Sequence, residues 1–495
     1  MGGDQRHRCA SRLEFSGAIA YNDPMRRVAA CIVAALTGAC GWAGSFSGDE
    51  QIQIISYWNA DDRYVVTCPP ESLAKGPWQV RLTPAGSQWL WNYNKARGLG
   101  KVNPTIDAGA QSPEQVAFER WIDAKVAYDR YVAAQVAAER NAEFLQREAP
   151  LEAKPAPNPG PMPPGLLRLA GDAPSMASAV QPLLHTISFH DGMRLTFTDN
   201  AAMRPRYAYY RFSEGVMSGG TSVRKMPPAE LDAMFKRAGI SASEQRIMKA
   251  VSLLEGGFDS VNTYDTGFVS VGFIQFACLS GGAGSLGQVL LKQRREDPVA
   301  FERDFRAFGL DVTDTGKLIA FDTATGIEYQ GPDAADLIIK DKRLIAVFQR
   351  AGRISTPFRV AQLKLAKERY YPVDDPVIVD VGGTKMRCRV GDIVRSEAGI
   401  ATLMDRKVNT GKIDPFPALL ARYVAAYNLD SPYQAASFEQ ELVAALKWRK
   451  DYLADMGLSQ PRSIVSIPVS RGAKRPAIAK PKTPSKTAPP PKKKG

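Results

Sequence analysis

The sequence predicts an α+β protein: a mostly helical domain with a small β-hairpin lobe, preceded by a small β-rich accessory domain and a long helix. Three observations carry that expectation. Residues 113–148 contain no glycine and no internal proline and are rich in Ala, Glu, Arg and Gln, a composition that favours one long helix. Two aromatic stretches, 51–103 and 185–226, alternate like strands between Pro and Gly punctuation. From Pro227 onward, apolar residues recur at helical spacing behind capping residues. A chain of 495 residues also exceeds the roughly 250–300 residues at which a single core stops growing, so two or more folded units are expected.

The elements follow in order. The most hydrophobic run, VAACIVAALTGACGWA from Val28 to Ala43, stands behind Met25-Arg26-Arg27 and ahead of a Gly-Ser-rich segment. A basic start, an apolar run and small residues at its end fit a secretory signal at 25–43. Met25 is then the expected start, with 1–24 an upstream extension and a secreted or periplasmic location. The sequence around Cys40 departs from a lipoprotein box because Thr37 stands where Leu is expected. No stretch reaches the roughly 20 apolar residues of a membrane span, so no transmembrane span is expected after signal removal.

Residues 47–110 are read as the β-rich accessory domain. Its Trp78, Trp89 and Trp91 are expected in its core, with stacking on sugar rings as the alternative. The helix at 113–148 follows, then a Pro-rich linker at 149–178 containing PAPNPGPMPPG, semi-rigid rather than folded. A β-rich segment spans 179–228, where RYAYYRF is dense in strand-favouring aromatics. The main domain is expected at 229–460. The tail 461–495 is Pro- and Lys-rich, and from Arg462 onward it holds ten Lys or Arg and no acid. Of the formal net charge of +13, the rest of the chain therefore carries only about +3. Such a tail cannot bury apolar surface and should be disordered, suited to contact with anionic envelope polymers or acting only as a solubilising extension. A nucleic-acid partner is disfavoured because the charge sits in the tail without a recognition motif.

Six cysteines and three histidines are present. Without a CxxC pair, and with Cys68, Cys278 and Cys388 far apart, neither a zinc site nor a dense disulfide framework is expected. His185 and His190 are read as ordinary surface or core residues, and neither metal nor cofactor is implied.

The chemistry concentrates in LLEGGFDSVNTYDTGFVSVGFIQFA, Leu253–Ala277. Ser241-Ala-Ser-Glu244 has capping-box spacing, and the helix it opens, with Ile247, Val251 and Leu254 on one face, is expected to stop at Glu255. Gly256-Gly257 then supplies the left-handed backbone of a helix end. The negative pole of the helix and apolar cover from Phe258, Phe273 and Phe276 should both raise the Glu255 pKa. A carboxyl still protonated near neutrality is what glycosidic cleavage requires. Tyr264–Gly267 reads as a turn carrying Asp265, and FVSVGFIQF as the returning strand. Ser270 and Gln275 are placed to bond sugar hydroxyls, acetamido groups or a water, and Gly272 to let a ligand approach the backbone.

These residues resemble the lysozyme superfamily, especially goose-type lysozymes and soluble lytic transglycosylases, in which a helix-end Glu precedes a hairpin with S-x-G-x-x-Q character. Glu255-Gly-Gly-Phe258 and Ser270-Val-Gly272-Phe-Ile-Gln275 carry the resemblance. Asp265, Ser270 and Gly272 also resemble the phage-type hairpin, and chitosanases pair a Glu with an Asp. The resemblance implies Glu255 as general acid, Asp265 as a second carboxylate and peptidoglycan or a related amino-sugar polymer as substrate. Gly256 departs from the Ser that transglycosylases carry after the glutamate. Tyr264 joins the expected substrate contacts, and Asp405 and Asn409 are read as an opposite cleft wall or as packing of their own loop. A lysozyme-like cleft retained for non-catalytic wall binding is the rival expectation.

Overall fold

The computed structural model describes residues 45–98, 112–148, 155–202, 204–446 and 448–462. The expected start, the signal segment and nearly all of the basic tail lie outside them. Helix makes up 50% and strand 15%, in small antiparallel sheets, which makes the protein mixed α+β. Among the described residues, no helix is long and apolar enough to cross a membrane. The chain forms two compact units, one from residues up to 241 together with 252–369, the other from 242–251 together with 370 onward. This division runs through the 229–460 span expected as one domain.

The first unit begins with the helix Gly48–Trp58, whose Ser47 and Glu50 form a capping box. The Trp58 indole is buried and donates to the Phe308 carbonyl at 3.1 Å. The region expected to be β-rich is mainly helical. Helices Gly48–Trp58, Pro70–Lys75 and Pro84–Ala96 outweigh two four-residue strands, Tyr64–Thr67 and Gln79–Leu82. What reads as alternation in SQWLWNY is one helical face, on which Trp89, Leu90 and Tyr93 are buried behind a Thr83 cap. Trp89 is a core residue, as expected, stacked on Tyr93 at 5.9 Å.

The long helix runs Pro113–Phe144, with a Ser112–Gln115 capping box. Phe118, Ile122, Val126, Ala133 and Ala137 make its buried stripe. It ends short of Glu148 because Gln146 turns left-handed and the Arg147 amide bonds back to the Ala142 carbonyl. The described part of the Pro-rich segment is no free spacer. Pro164–Ala170 is helical, Leu166 and Met176 are fully buried, and both join the core of Trp89, Tyr93, Phe118 and Ile122. Proline at the first helical position costs no hydrogen bond, so a Pro-rich stretch can start a helix as well as interrupt one.

Three-stranded, two-stranded and four-stranded sheets follow. Leu184–Ser188 pairs with Tyr64–Thr67 and with Arg194–Thr198, and Gln79–Leu82 pairs with Ala177–Val180. His185 is buried between the Tyr64 hydroxyl at 2.8 Å and Asp199 at 3.1 Å. RYAYYRF does not form a strand; Tyr210 alone makes a bridge, to Asp265. The expected hairpin in KLIAFDTATGIEYQG is present as Leu318–Asp322 with Ile327–Gln330. Helices Lys342–Ile354 and Thr356–Tyr370 contribute a phenylalanine core, where Phe305 meets Phe348 at 5.6 Å and Phe358 at 5.0 Å.

The second unit holds the hairpin Pro376–Val381/Thr384–Arg389 and helices Glu397–Thr410, Phe416–Ala426 and Glu439–Ala445. Burial alone would raise the Glu397 carboxyl, yet bonds from Arg246, Ser243 and the Ser459 amide bring it down to about 2. Those bonds fasten residues 242–251 to the start of the helix at 397. Asp405 is fully buried and accepts from the Trp448 indole at 2.7 Å and from Arg449.

Asn141 clasps the loop before Gln79–Leu82, accepting from the Trp78 amide at 2.8 Å and donating to the Trp78 carbonyl at 2.9 Å. Asn141→Ala is expected to cost about 2 kcal/mol, since it strands both backbone groups. A urea midpoint unchanged from wild type would contradict this.

Candidate functional site

The helix expected to end at Glu255 ends at Ser252. The Ser252 carbonyl then accepts from both the Glu255 and Gly256 amides at 3.0 Å, closing one turn that carries Glu255 partly exposed. The chain escapes this turn through Gly256 at φ +129°, where a Cβ would lie 2.7 Å from Ser260 Cβ. Glu255 therefore stands just past the negative pole of its helix rather than within the last helical turn. Ile247 and Val251 are buried as expected, while Leu254 is exposed. The three phenylalanines expected to cover Glu255 are almost fully buried against one another, Phe258 on Phe273 at 5.0 Å and Phe273 on Phe276 at 6.2 Å.

The returning strand is shorter than its alternation suggests. Ser270–Val271 pairs with Val261–Asn262, turns at Gly272–Gln275, and pairs again with Phe276–Ala277. Met217–Ser218 completes a four-stranded sheet. Ser260 is the hub of this turn: its hydroxyl donates to the Gly272 carbonyl at 2.8 Å and accepts from the Gln275 amide at 2.6 Å. Gln275 holds a left-handed backbone at φ +55°, and its side-chain amide also donates to the Gly272 carbonyl at 3.2 Å.

Gly272 does not offer an open approach to a ligand. A Cβ there would meet the Gln362 carboxamide oxygen at 2.1 Å. Gln362 is fully buried, accepting from the Phe273 amide at 3.3 Å and donating to the Phe258 carbonyl at 3.1 Å. Ser270 is buried with its hydroxyl packed against Gly267. The structure thus brings Gly256, Ser260, Gly272 and Gln275 together, and most of their polar groups face one another.

Asp265 occupies the other end of the hairpin. It accepts from the Gly267 amide at 2.8 Å and the Asn262 side chain at 2.9 Å. Burial raises its pKa, against the pull of these two bonds and of Arg211. Tyr264 bonds its hydroxyl to Tyr207, and their rings lie 6.0 Å apart. The Tyr264 carbonyl accepts from the amides of Arg211 at 2.8 Å and Phe212 at 3.3 Å. Asn409 belongs to the second unit, where its side-chain amide donates to the Asp405 carbonyl at 2.8 Å and to its carboxylate at 3.1 Å. That is the packing alternative for the pair, and it places Asn409 in service of its own helix.

No family model, curated protein or solved structure matches the chain.

Two sets of residues escape a reading of the motif alone. Gln362 lies far along the chain, in a helix whose sequence gives no sign of polar duty. Tyr207, Tyr209 and Arg211 had a signal, since period-2 alternation puts them on one side and the buried Ala208 and Tyr210 on the other. The alternation is real although no strand ladder forms.

Gly272→Ala is expected to cost about 1–2 kcal/mol from its left-handed backbone alone, and more once Gln362 is displaced; an unaltered melting curve would refute this. Asp265 is expected to titrate above 3.8, its ordinary value. Because the folded value is raised, ionisation costs stability as pH climbs past the unfolded value. A carboxyl-detected NMR titration checks this, and a midpoint at or below 3.8 would contradict it.

Proposed function

We propose that the chain is a glycan-cleaving enzyme acting in the cell envelope on peptidoglycan or a related amino-sugar polymer, with Glu255 as general acid. The observation that carries the reading is local. The turn bearing Glu255 rests through Gly256 on Ser260, and Ser260 holds the Gly272–Gln275 turn in its left-handed conformation. Strained backbone of this kind persists where surrounding structure over-determines it, and it gathers at functional sites. In the lysozyme-like reading, a helix-end acid and a braced hairpin are the parts that matter.

In the reaction, the Glu255 carboxyl gives its proton to the leaving glycosidic oxygen as the bond breaks. Asp265, whose raised pKa makes its carboxylate a stronger base than usual, activates the water that attacks the sugar carbon in a hydrolysis. Where Asp265 takes no part, Glu255 acts as acid and then as base, and the sugar's own hydroxyl closes an anhydro product.

A second reading, glycan binding without cleavage, is favoured by the internal engagement of Ser270, Gly272 and Gln275. Both readings face one experiment on the full-length protein. Glu255→Gln is expected to lower release of soluble fragments from purified peptidoglycan by about 100-fold or more, with mass analysis separating hydrolysed from anhydro ends. Equal release by wild type and variant removes Glu255 from the chemistry. Retention on insoluble wall material with no fragments from either protein establishes the binding reading.

A further inference from the structure

Beside the hairpin, aromatic rings form a continuous strip. Trp91 meets Tyr209 edge-on at 4.8 Å, Tyr209 meets Tyr207 at 5.7 Å, and Tyr207 meets Tyr264 at 6.0 Å. All four rings are only partly covered, as are Asp265 at the end of the strip and Arg211 beside it. Successive Tyr rings are tilted by 50° and 48°, so the strip curves rather than stacking into a closed core. Faces of this kind take the C–H side of a pyranose, an apolar body with a polar rim.

The strip is assembled in advance. Ser87 and Trp91 lie four residues apart on the helix Pro84–Ala96 and share a face. Ser87 Oγ donates to the Tyr207 carbonyl at 2.6 Å. Arg211 Nη1 donates to Ser87 Oγ at 3.3 Å, the Ala208 carbonyl at 3.0 Å and the Tyr210 carbonyl at 2.7 Å. These bonds fix the loop that carries Tyr207 and Tyr209, which spares a ligand the entropic cost of ordering it.

Arg211 places a positive charge beside the strip. All of its hydrogen bonds among the described residues leave from Nη1 and end on a hydroxyl or carbonyls, so the Nε–Nη2 edge holds no carboxylate. That edge is the fork that grips a carboxylate with two parallel bonds. Its guanidinium also lies over Trp91, 5.8 Å from the ring centre, which keeps charge and aromatic platform together.

We infer that Trp91, Tyr209, Tyr207 and Tyr264 form a binding subsite for a carboxylate-bearing pyranose, with Arg211 gripping the carboxylate and Asp265 facing the ring hydroxyls. The inference rests on the glycan reading above and deepens it, because it names an acidic sugar residue and assigns its recognition to the segment before the hairpin.

The test is a titration of the full-length protein, by tryptophan fluorescence and calorimetry, with N-acetylmuramic acid and with N-acetylglucosamine. The two differ in the lactyl ether that bears the carboxylate. Wild type is expected to bind the acidic sugar about tenfold more tightly, the worth of one charged hydrogen-bond pair. Arg211→Gln should reduce that preference to about twofold or less while both sugars still bind. Should that variant not fold, Arg211→Lys, which keeps the charge without the fork, should narrow the preference several-fold. Equal affinities in wild type, binding of neither sugar, or an undiminished preference in the arginine variants would overturn the inference. Glu255→Gln separates it from the catalytic reading. If that variant loses cleavage and wild type shows no sugar preference, only the subsite fails; if the preference stands in a protein that releases no fragments, only catalysis fails.

Discussion

One buried carboxamide holds the two halves of the motif together. Gln362 reaches from the helix Thr356–Tyr370 and bonds the Phe258 carbonyl with its nitrogen and the Phe273 amide with its oxygen. The first contact anchors the loop that follows Glu255, and the second anchors the turn at Gly272. A fully buried amide that satisfies two separated backbone groups is expensive to replace, because either loss strands a polar group away from water. Gly272 then has a plain reason to be glycine: a methyl group would occupy the space that the carboxamide fills.

That constraint explains which parts of the site were legible in the sequence. The helix stop near Glu255, the glycine that redirects the chain, the turn at Asp265 and the presence of a hairpin all follow from local chemistry and are all there. The helix ends three residues early because the Ser252 carbonyl can serve two amides in a tight turn, a detail that periodicity does not encode. FVSVGFIQF alternates, yet it breaks at Gly272 since Gln362 and Ser260 both draw on that backbone. Non-local partners decide where a strand ends. The accessory region differs for the opposite reason: its aromatic residues favour strands locally, while the Thr83 cap and the burial of Trp89, Leu90 and Tyr93 belong to a helix.

Two carboxyl groups in this region are placed by different physics. Glu255 sits in a turn just beyond a helix C-terminus and is partly exposed. Asp265 is held by desolvation, opposed by an amide, a side-chain amide and the charge of Arg211. The first keeps contact with solvent, whereas the second exchanges hydration for two hydrogen bonds inside the hairpin. Asp265 is thus fixed by the hairpin's own groups, while the position of Glu255 depends on Gly256 turning the chain away from the helix.

The hairpin cannot be regarded as a lobe that functions apart from the chain before it. Arg211 and Phe212 donate their amides to the Tyr264 carbonyl, Tyr210 bridges to Asp265, and Ser87 holds the Tyr207 carbonyl. Ala177–Val180 is in turn paired along its length with Gln79–Leu82, and Leu184–Ser188 with Tyr64–Thr67. A chain cut at Ala179 would open both sheets and release the loop that flanks Asp265. The N-terminal region therefore fixes the loop beside Asp265 through the Ser87 hydroxyl and through two strand pairings.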